Sequence, residues 1–160
     1  MKKTKNKAGQ LKLGLLSDLD SDIYVDLHDE IMIRVDSNLD QILKRTFGSD
    51  WKPASKTWEM PVTTNGREKR LIGFADLYWT VSLPPSGHIA QPKYSGIIEV
   101  KTRIRPGPDI RQVRAYTEFL SETHFHEHGH CLKHPIFVSP DLRYEVLIKQ
   151  QGFHFVQYPS

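Results

Sequence analysis

Cysteine is nearly missing: Cys131 is the single one among 160 residues. One thiol excludes an intrachain disulfide framework, and it excludes a four-cysteine zinc or iron–sulfur site. Long apolar runs are missing too. No stretch approaches the roughly eighteen apolar residues of a membrane span, so no membrane partner is expected. The N-terminus has lysines without an apolar h-region, unlike a secretory signal, and a cytoplasmic location is the expectation. The body also lacks an excess of either charge. The chain holds 22 Lys+Arg against 19 Asp+Glu, but five lysines (Lys2, Lys3, Lys5, Lys7 and Lys12) fall in the first twelve residues. The rest is close to neutral, which excludes a polyanion-wrapping coat protein. With 38% hydrophobic and 26% charged residues the composition is that of a folded, somewhat polar domain.

Residues 1–17 read as a flexible basic tail and residues 18–160 as a single domain, since neither a repeat nor a second core is visible. Between Ile23 and Val35 the pattern fits two readings. Ile31, Ile33 and Val35 alternate like a strand, whereas Ile23, Leu27 and Ile31 have helical spacing. The second half is taken as strand. Ser37 or Asp36 then caps a helix through Leu39, Ile42, Leu43 and Phe47, closed by Gly48. Strands follow over 57–63 and 69–82, joined by a turn with Asn65-Gly66 at its centre. A proline-rich loop over 84–94 leads to a third strand over 95–103. Pro106-Gly107-Pro108 breaks the chain, and Asp109 caps a helix over about 110–121. A histidine-rich loop (122–134), a strand around Ile136–Val138, a helix over 141–151 ended by Gly152 and a strand over 153–158 complete the chain. The order implies an α/β fold, a mixed sheet with helices packed on it.

Within strand 69–82, alternation puts Phe74, Asp76 and Tyr78 on one face and Ala75, Leu77 and Trp79 on the other. Asp76 is a lone acid in an apolar run, and a buried carboxylate is costly unless paired or metal-bound. Taken alone it reads as an acid on a solvated face. The next strand repeats the oddity: Ile97, Glu99 and Lys101 share a face, and i, i+2 neighbours reach one point above a sheet. If the two strands are adjacent, two carboxylates and an ammonium converge. Two carboxylates suit Mg²⁺, which takes hard oxygen ligands and keeps several waters. A lysine beside them can orient or deprotonate a water. On the following helix Gln112 and Tyr116 are i, i+4 neighbours, beside a core stripe of Ile110, Val113, Thr117 and Leu120.

Gly73-Phe74-Ala75-Asp76, then Glu99-Val100-Lys101-Thr102, then Gln112-Val113-Arg114-Ala115-Tyr116, resemble the GxxD, (D/E)xK and QxxxY motifs of RecB-like nucleases in the PD-(D/E)xK superfamily. The resemblance covers about residues 37–140. It implies a restriction-endonuclease-like fold with an αβββαβ core, and a Mg²⁺- or Mn²⁺-dependent deoxyribonuclease, endo- or exonucleolytic. It makes Asp76 and Glu99 metal ligands with the Val100 carbonyl, and makes Lys101 the group that positions the attacking water. Gln112 and Tyr116 then order the site. Relatives add an acid or His on the first helix, for which Glu30 is the first choice here and Asp40 the second. Phage, mobile-element or DNA-repair settings fit such a domain.

Basic residues point the same way. Arg103, Arg105, Arg111 and Arg114 flank the acids, and Arg67, Lys69 and Arg70 lie at a hairpin end, placed to neutralise DNA phosphates. Trp51, Trp58 and Trp79 are expected mainly in the core, with base stacking as the other use. The run His124, His126, His128, His130, Cys131, His134 could take up zinc or nickel, but reads as a polar connector. A binding subunit without catalysis is the alternative to a nuclease, and a homo-oligomer is compatible with either.

Overall fold

The structure, a computed structural model, describes residues 27–83, 93–128 and 131–159. The basic tail, the proline-rich stretch 84–92 and His130 lie outside the described residues, as do the side chains of His124, His126 and His128. Helix α1 occupies residues 27–37 and helix α2 Leu39–Phe47. Strands β1 (Ser55–Thr63), β2 (Leu71–Ser82) and β3 (Lys93–Val100) follow. Helix α3 spans Pro106–His128, then come β4 (Cys131–Leu132), β5 (Ile136–Ser139), a 3₁₀ turn Leu142–Tyr144, α4 (Glu145–Gln150) and β6 (His154–Gln157). The sheet order is β1-β2-β3-β5-β6, with β4 beside β3. β1, β2 and β3 pair antiparallel, and β3, β5 and β6 pair parallel. This is the mixed α/β architecture expected, with the αβββαβ order of a restriction-endonuclease-like fold.

The sheet is covered on both faces. Ile31, Met32, Val35, Leu39, Ile42 and Leu43 pack on Leu77, Trp79, Val81, Ile98 and Val100. On the other face Ile110, Val113, Tyr116 and Leu120 of α3 meet Ala75, Tyr78, Ile97 and Phe137. Each such side chain stabilises the fold by about 1.5–3 kcal/mol when fully buried. The strand expected around residues 31–35 is instead α1. Ile31 and Val35 belong to a helical i, i+4 stripe, and Ile33, which completed the apparent alternation, is 58% exposed.

Capping also differs from expectation. Ser37 Oγ donates to the Ile33 carbonyl and Asn38 Nδ2 to the Arg34 carbonyl. Both side chains bond back onto α1 rather than capping α2. Gly48 does close α2 in the left-handed region, its N–H on the Lys44 carbonyl. Pro106-Gly107-Pro108 opens α3 instead of preceding it. The first-turn amides lack helical acceptors anyway, so prolines cost little there. Asp109 sits inside that turn, and its carboxylate takes the Arg105 N–H at 2.6 Å. The helix runs through His128, so half of the histidine run is helical, not loop.

The alternation expected in β2 breaks at Asp76. Leu77, Trp79 and Val81 face α1 and α2, but Ala75 joins Tyr78 on the α3 face. The cause lies in the pairing. β2 and β3 are in register from Ser82↔Lys93 to Leu77↔Ile98 and then part, so β2 before Leu77 is held by β1 alone.

Candidate active site

Asp76 and Glu99 stand where β2 and β3 part. Asp76 Oδ2 accepts the Val100 N–H at 2.7 Å, and Glu99 Oε2 accepts the Asp76 N–H at 3.4 Å. Each acid thus binds the other's strand through amides that the separated ladder leaves free. Glu99 Oε1 lies 3.0 Å from Lys101 Nζ. Lys101 Nζ donates to Gln112 Oε1 at 3.2 Å, and Gln112 Nε2 donates to the Tyr116 hydroxyl at 2.9 Å. One hydrogen-bonded path therefore joins Asp76, Glu99, Lys101, Gln112 and Tyr116 across two strands and a helix.

Electrostatics sets the state of each group. Glu99 is 2% exposed. Its burial, and then the Asp76 charge, push its carboxyl up to about 7 against the pull of Lys101. Burial alone would pull the Lys101 ammonium down, but the charge and hydrogen bond of Glu99 outweigh it and hold the ammonium above its ordinary range. Two hard-oxygen donors, one of them a carboxylate held back from ionising by burial and by its neighbour, fit a divalent cation, whose charge would favour the ionised form. Among the described residues no group of three or more His, Cys, Asp and Glu side chains could hold a metal ion. Two carboxylates alone match a cation that keeps most of its waters, and they match a histidine–cysteine metal poorly.

The first helix contributes His28. Its Nε2 lies 3.4 Å from Asp76 Oδ1, and the hydrogen bond to Asp76 raises its pKa. Glu30, the first choice for this position, is turned away and accepts the Tyr158 hydroxyl at 3.0 Å. Asp40 is exposed on α2. His28 was hidden by reading the following residues as strand; α1 as a helix places it one turn before Met32 and Ile31, on the sheet side.

Of the basic residues, Arg103, Arg105, Arg111, Arg114, Lys69 and Arg70 are all exposed. Arg105 pairs with Asp109 at 3.4 Å. Arg114 donates to Gln151 Oε1 at 2.7 Å and lies over the Phe153 ring, so it is partly committed to α4. Trp51 and Trp79 are core residues, Trp51 stacking on Tyr94 with ring centroids 4.8 Å apart. Trp58 is 41% exposed and donates to Asp36. The histidines His134 and His154 lie with ring centroids 6.4 Å apart. Surface grooves of about 680 Å³ beside β6 and about 310 Å³ between α2 and Tyr158 are lined by other residues. Glu99 is buried and the Asp76 side chain is 18% exposed, so the acid pair meets the surface through Asp76.

Gly73 explains why a glycine precedes Asp76 by three. A Cβ there would collide with the Tyr116 hydroxyl. Gly73→Ala is therefore expected to destabilise the protein by about 1–3 kcal/mol, the usual cost of overpacking. A thermal melt checks this, and Tyr116→Phe in the same chain should recover the part of the loss due to the hydroxyl, the ring and the positive φ of Gly73 keeping the rest. Equal melting of Gly73→Ala and the parent would disprove the contact.

No protein-family model matches the chain, and no curated protein matches it. Among solved structures it is similar to the crystal structure of a repair endonuclease from Pyrococcus abyssi. The likeness is at 19% sequence identity, with a TM-score of 0.42, over 76% of this chain and 46% of that one. The chain thus spans just under half the length of that structure.

Proposed function

We propose that the protein is a divalent-metal-dependent nuclease that hydrolyses phosphodiester bonds in DNA. The observation that carries this reading is the convergence of Asp76, Glu99 and Lys101 at the split between β2 and β3, with Glu99 buried beside a second carboxylate. Asp76 and Glu99 would hold Mg²⁺ or Mn²⁺, with the Val100 carbonyl as the backbone ligand that the motif resemblance implies. Such an ion supplies positive charge to the phosphate and lowers the pKa of nearby water. His28 orients the Asp76 carboxylate from α1. Lys101, fixed between Glu99 and Gln112 and 19% exposed, holds the water that attacks phosphorus. Tyr116 and Gln112 keep Lys101 from swinging into solvent, which preserves the attack geometry. The exposed arginines on and before α3 bind the flanking phosphates. The completeness of this hydrogen-bonded set favours catalysis over binding alone.

The test is incubation of the protein with single-stranded, duplex and branched DNA in Mg²⁺ or Mn²⁺. Cleavage is expected with either ion, none in a chelator, and none from Asp76→Asn. A wild-type protein inert on all three DNAs with both ions would remove the nuclease reading.

A further inference from the structure

The outer half of the β1–β2 hairpin carries apolar surface that the acid cluster leaves unexplained. From Ala75 to Val81 the apolar side chains of β2 are buried, but Phe74 is 51% exposed, Leu71 56% and Ile72 38%. Pro61 stands directly across from Phe74 in the β1–β2 register and is exposed as well. A large aromatic and a β-branched side chain side by side on an edge hairpin invite aggregation unless something covers them. Gly73 and Ala75 face Tyr116 and α3. Ile72 and Phe74 alternate with them and so project to the opposite side, from which His28 reaches Asp76.

Phe74 precedes Asp76 by two residues, about 7 Å along the strand. In the other direction the strand enters the turn 64–70, where Arg67, Lys69 and Arg70 are exposed beside one acid, Glu68. Only Arg70 pairs with it, loosely, at 3.7 Å. Along the hairpin the surface therefore runs from cationic to apolar to the acid pair.

We propose that Ile72, Phe74 and Pro61 form a stacking platform for unpaired nucleobases. The substrate is then single-stranded DNA, or the single-stranded part of a branched molecule, rather than continuous duplex. This rests on the nuclease reading above and names its substrate class. An unpaired base offers an apolar π-face, and an aromatic ring beside a backbone-binding cationic segment is the general means of holding one. A duplex turns phosphates and sugars outward, and for these Phe74 and Ile72 have nothing to give. The cationic turn takes the phosphates on one side of the stacked base, and the acid pair addresses the phosphate on the other.

The experiment is fluorescence anisotropy in a chelator, where nothing is cut. A labelled oligothymidine of about fifteen nucleotides and a duplex of equal length are titrated with wild type, Phe74→Ala and Phe74→Trp. Phe74 is exposed, so a melt should show both variants folded. Wild type should prefer the single strand. Phe74→Ala should lose about ten- to a hundredfold on it with the duplex unchanged, and Phe74→Trp should retain binding. Absence of single-strand binding, a preference for duplex, or a Phe74→Ala variant that binds like wild type overturns the proposal. So does a Phe74→Ala variant that only dissociates a dimer, which would assign the face to a second copy of the chain. Cleavage is scored separately in Mg²⁺. Selective stacking without cleavage removes the nuclease reading and keeps the platform, whereas equal cutting of both DNAs by wild type and Phe74→Ala does the reverse.

Discussion

Glu99→Gln should abolish cleavage and, at the same time, make the metal-free protein more stable above neutral pH. The carboxyl of Glu99 is buried and repelled by Asp76, so its folded-state pKa lies near 7 while its unfolded value is that of an ordinary glutamate. Below about pH 4.5 both states are protonated and the group costs nothing. Between there and pH 7 the unfolded chain ionises first, which favours unfolding, and above pH 7 the full cost stands. A shift of this size corresponds to about 3–4 kcal/mol. The neutral, near-isosteric amide escapes that cost. Melting in a chelator at pH 8 should therefore favour Glu99→Gln by about 5–10 °C, and the advantage should vanish at pH 4. Added Mg²⁺ or Mn²⁺ should raise the melting point of the parent and leave the variant where it was. Cleavage by the variant should fall below detection. A variant less stable than the parent at pH 8 would show that Glu99 is a structural ion-pair partner of Lys101, and not an acid held in readiness for a cation.

Lys101→Met carries the second large effect, a drop in cleavage of about 10²–10⁴-fold with DNA affinity nearly unchanged. Methionine keeps the apolar stem of the side chain and removes only the ammonium that touches Glu99 and Gln112. Glu99 then loses the one nearby cation that draws its pKa down, so its ionisation moves above 7. Because a proton and a metal ion compete for the same carboxylate, apparent Mg²⁺ affinity should rise with pH through about 7 in the parent and through a higher pH in the variant. Rate against pH at several Mg²⁺ concentrations measures both displacements. Lys101→Arg should not restore activity, since a planar guanidinium cannot occupy the position of a compact ammonium between the same two oxygens. Activity within tenfold of the parent, with an unshifted profile, would take Lys101 out of the chemistry.

Four of the five polar residues were legible as neighbours from short spacings, with Lys101 just past the end of β3. Glu99 and Lys101 lie at i, i+2, and Gln112 and Tyr116 share a helix face at i, i+4. Local periodicity survives folding in such stretches. The order from α2 to α3 was legible for the same reason, whereas α1 was expected as strand and β4 as loop. His28 was not, because three residues of α1 imitate a strand: Ile33 is apolar yet exposed, and it filled the gap between Ile31 and Val35. The turn of Asp76 out of the β2 alternation was also hidden. It arises where β3 leaves β2, and nothing in residues 71–82 encodes the departure of a neighbouring strand. Pro106 and Pro108, expected as a break between strand and helix, lie in the first turn of α3, where a missing amide donor costs little.

The amides of Asp76 and Val100 donate to the carboxylates that would carry the chemistry. These two N–H groups are consequently built-in gauges of the site. Their deuterium uptake should slow when an ion draws the carboxylates taut and quicken when either acid is lost, giving a readout of occupancy that requires no nucleic acid. The same arrangement ties the seam of the sheet to the chemistry. Any variant that loses either acid leaves one of these amides in need of a new acceptor.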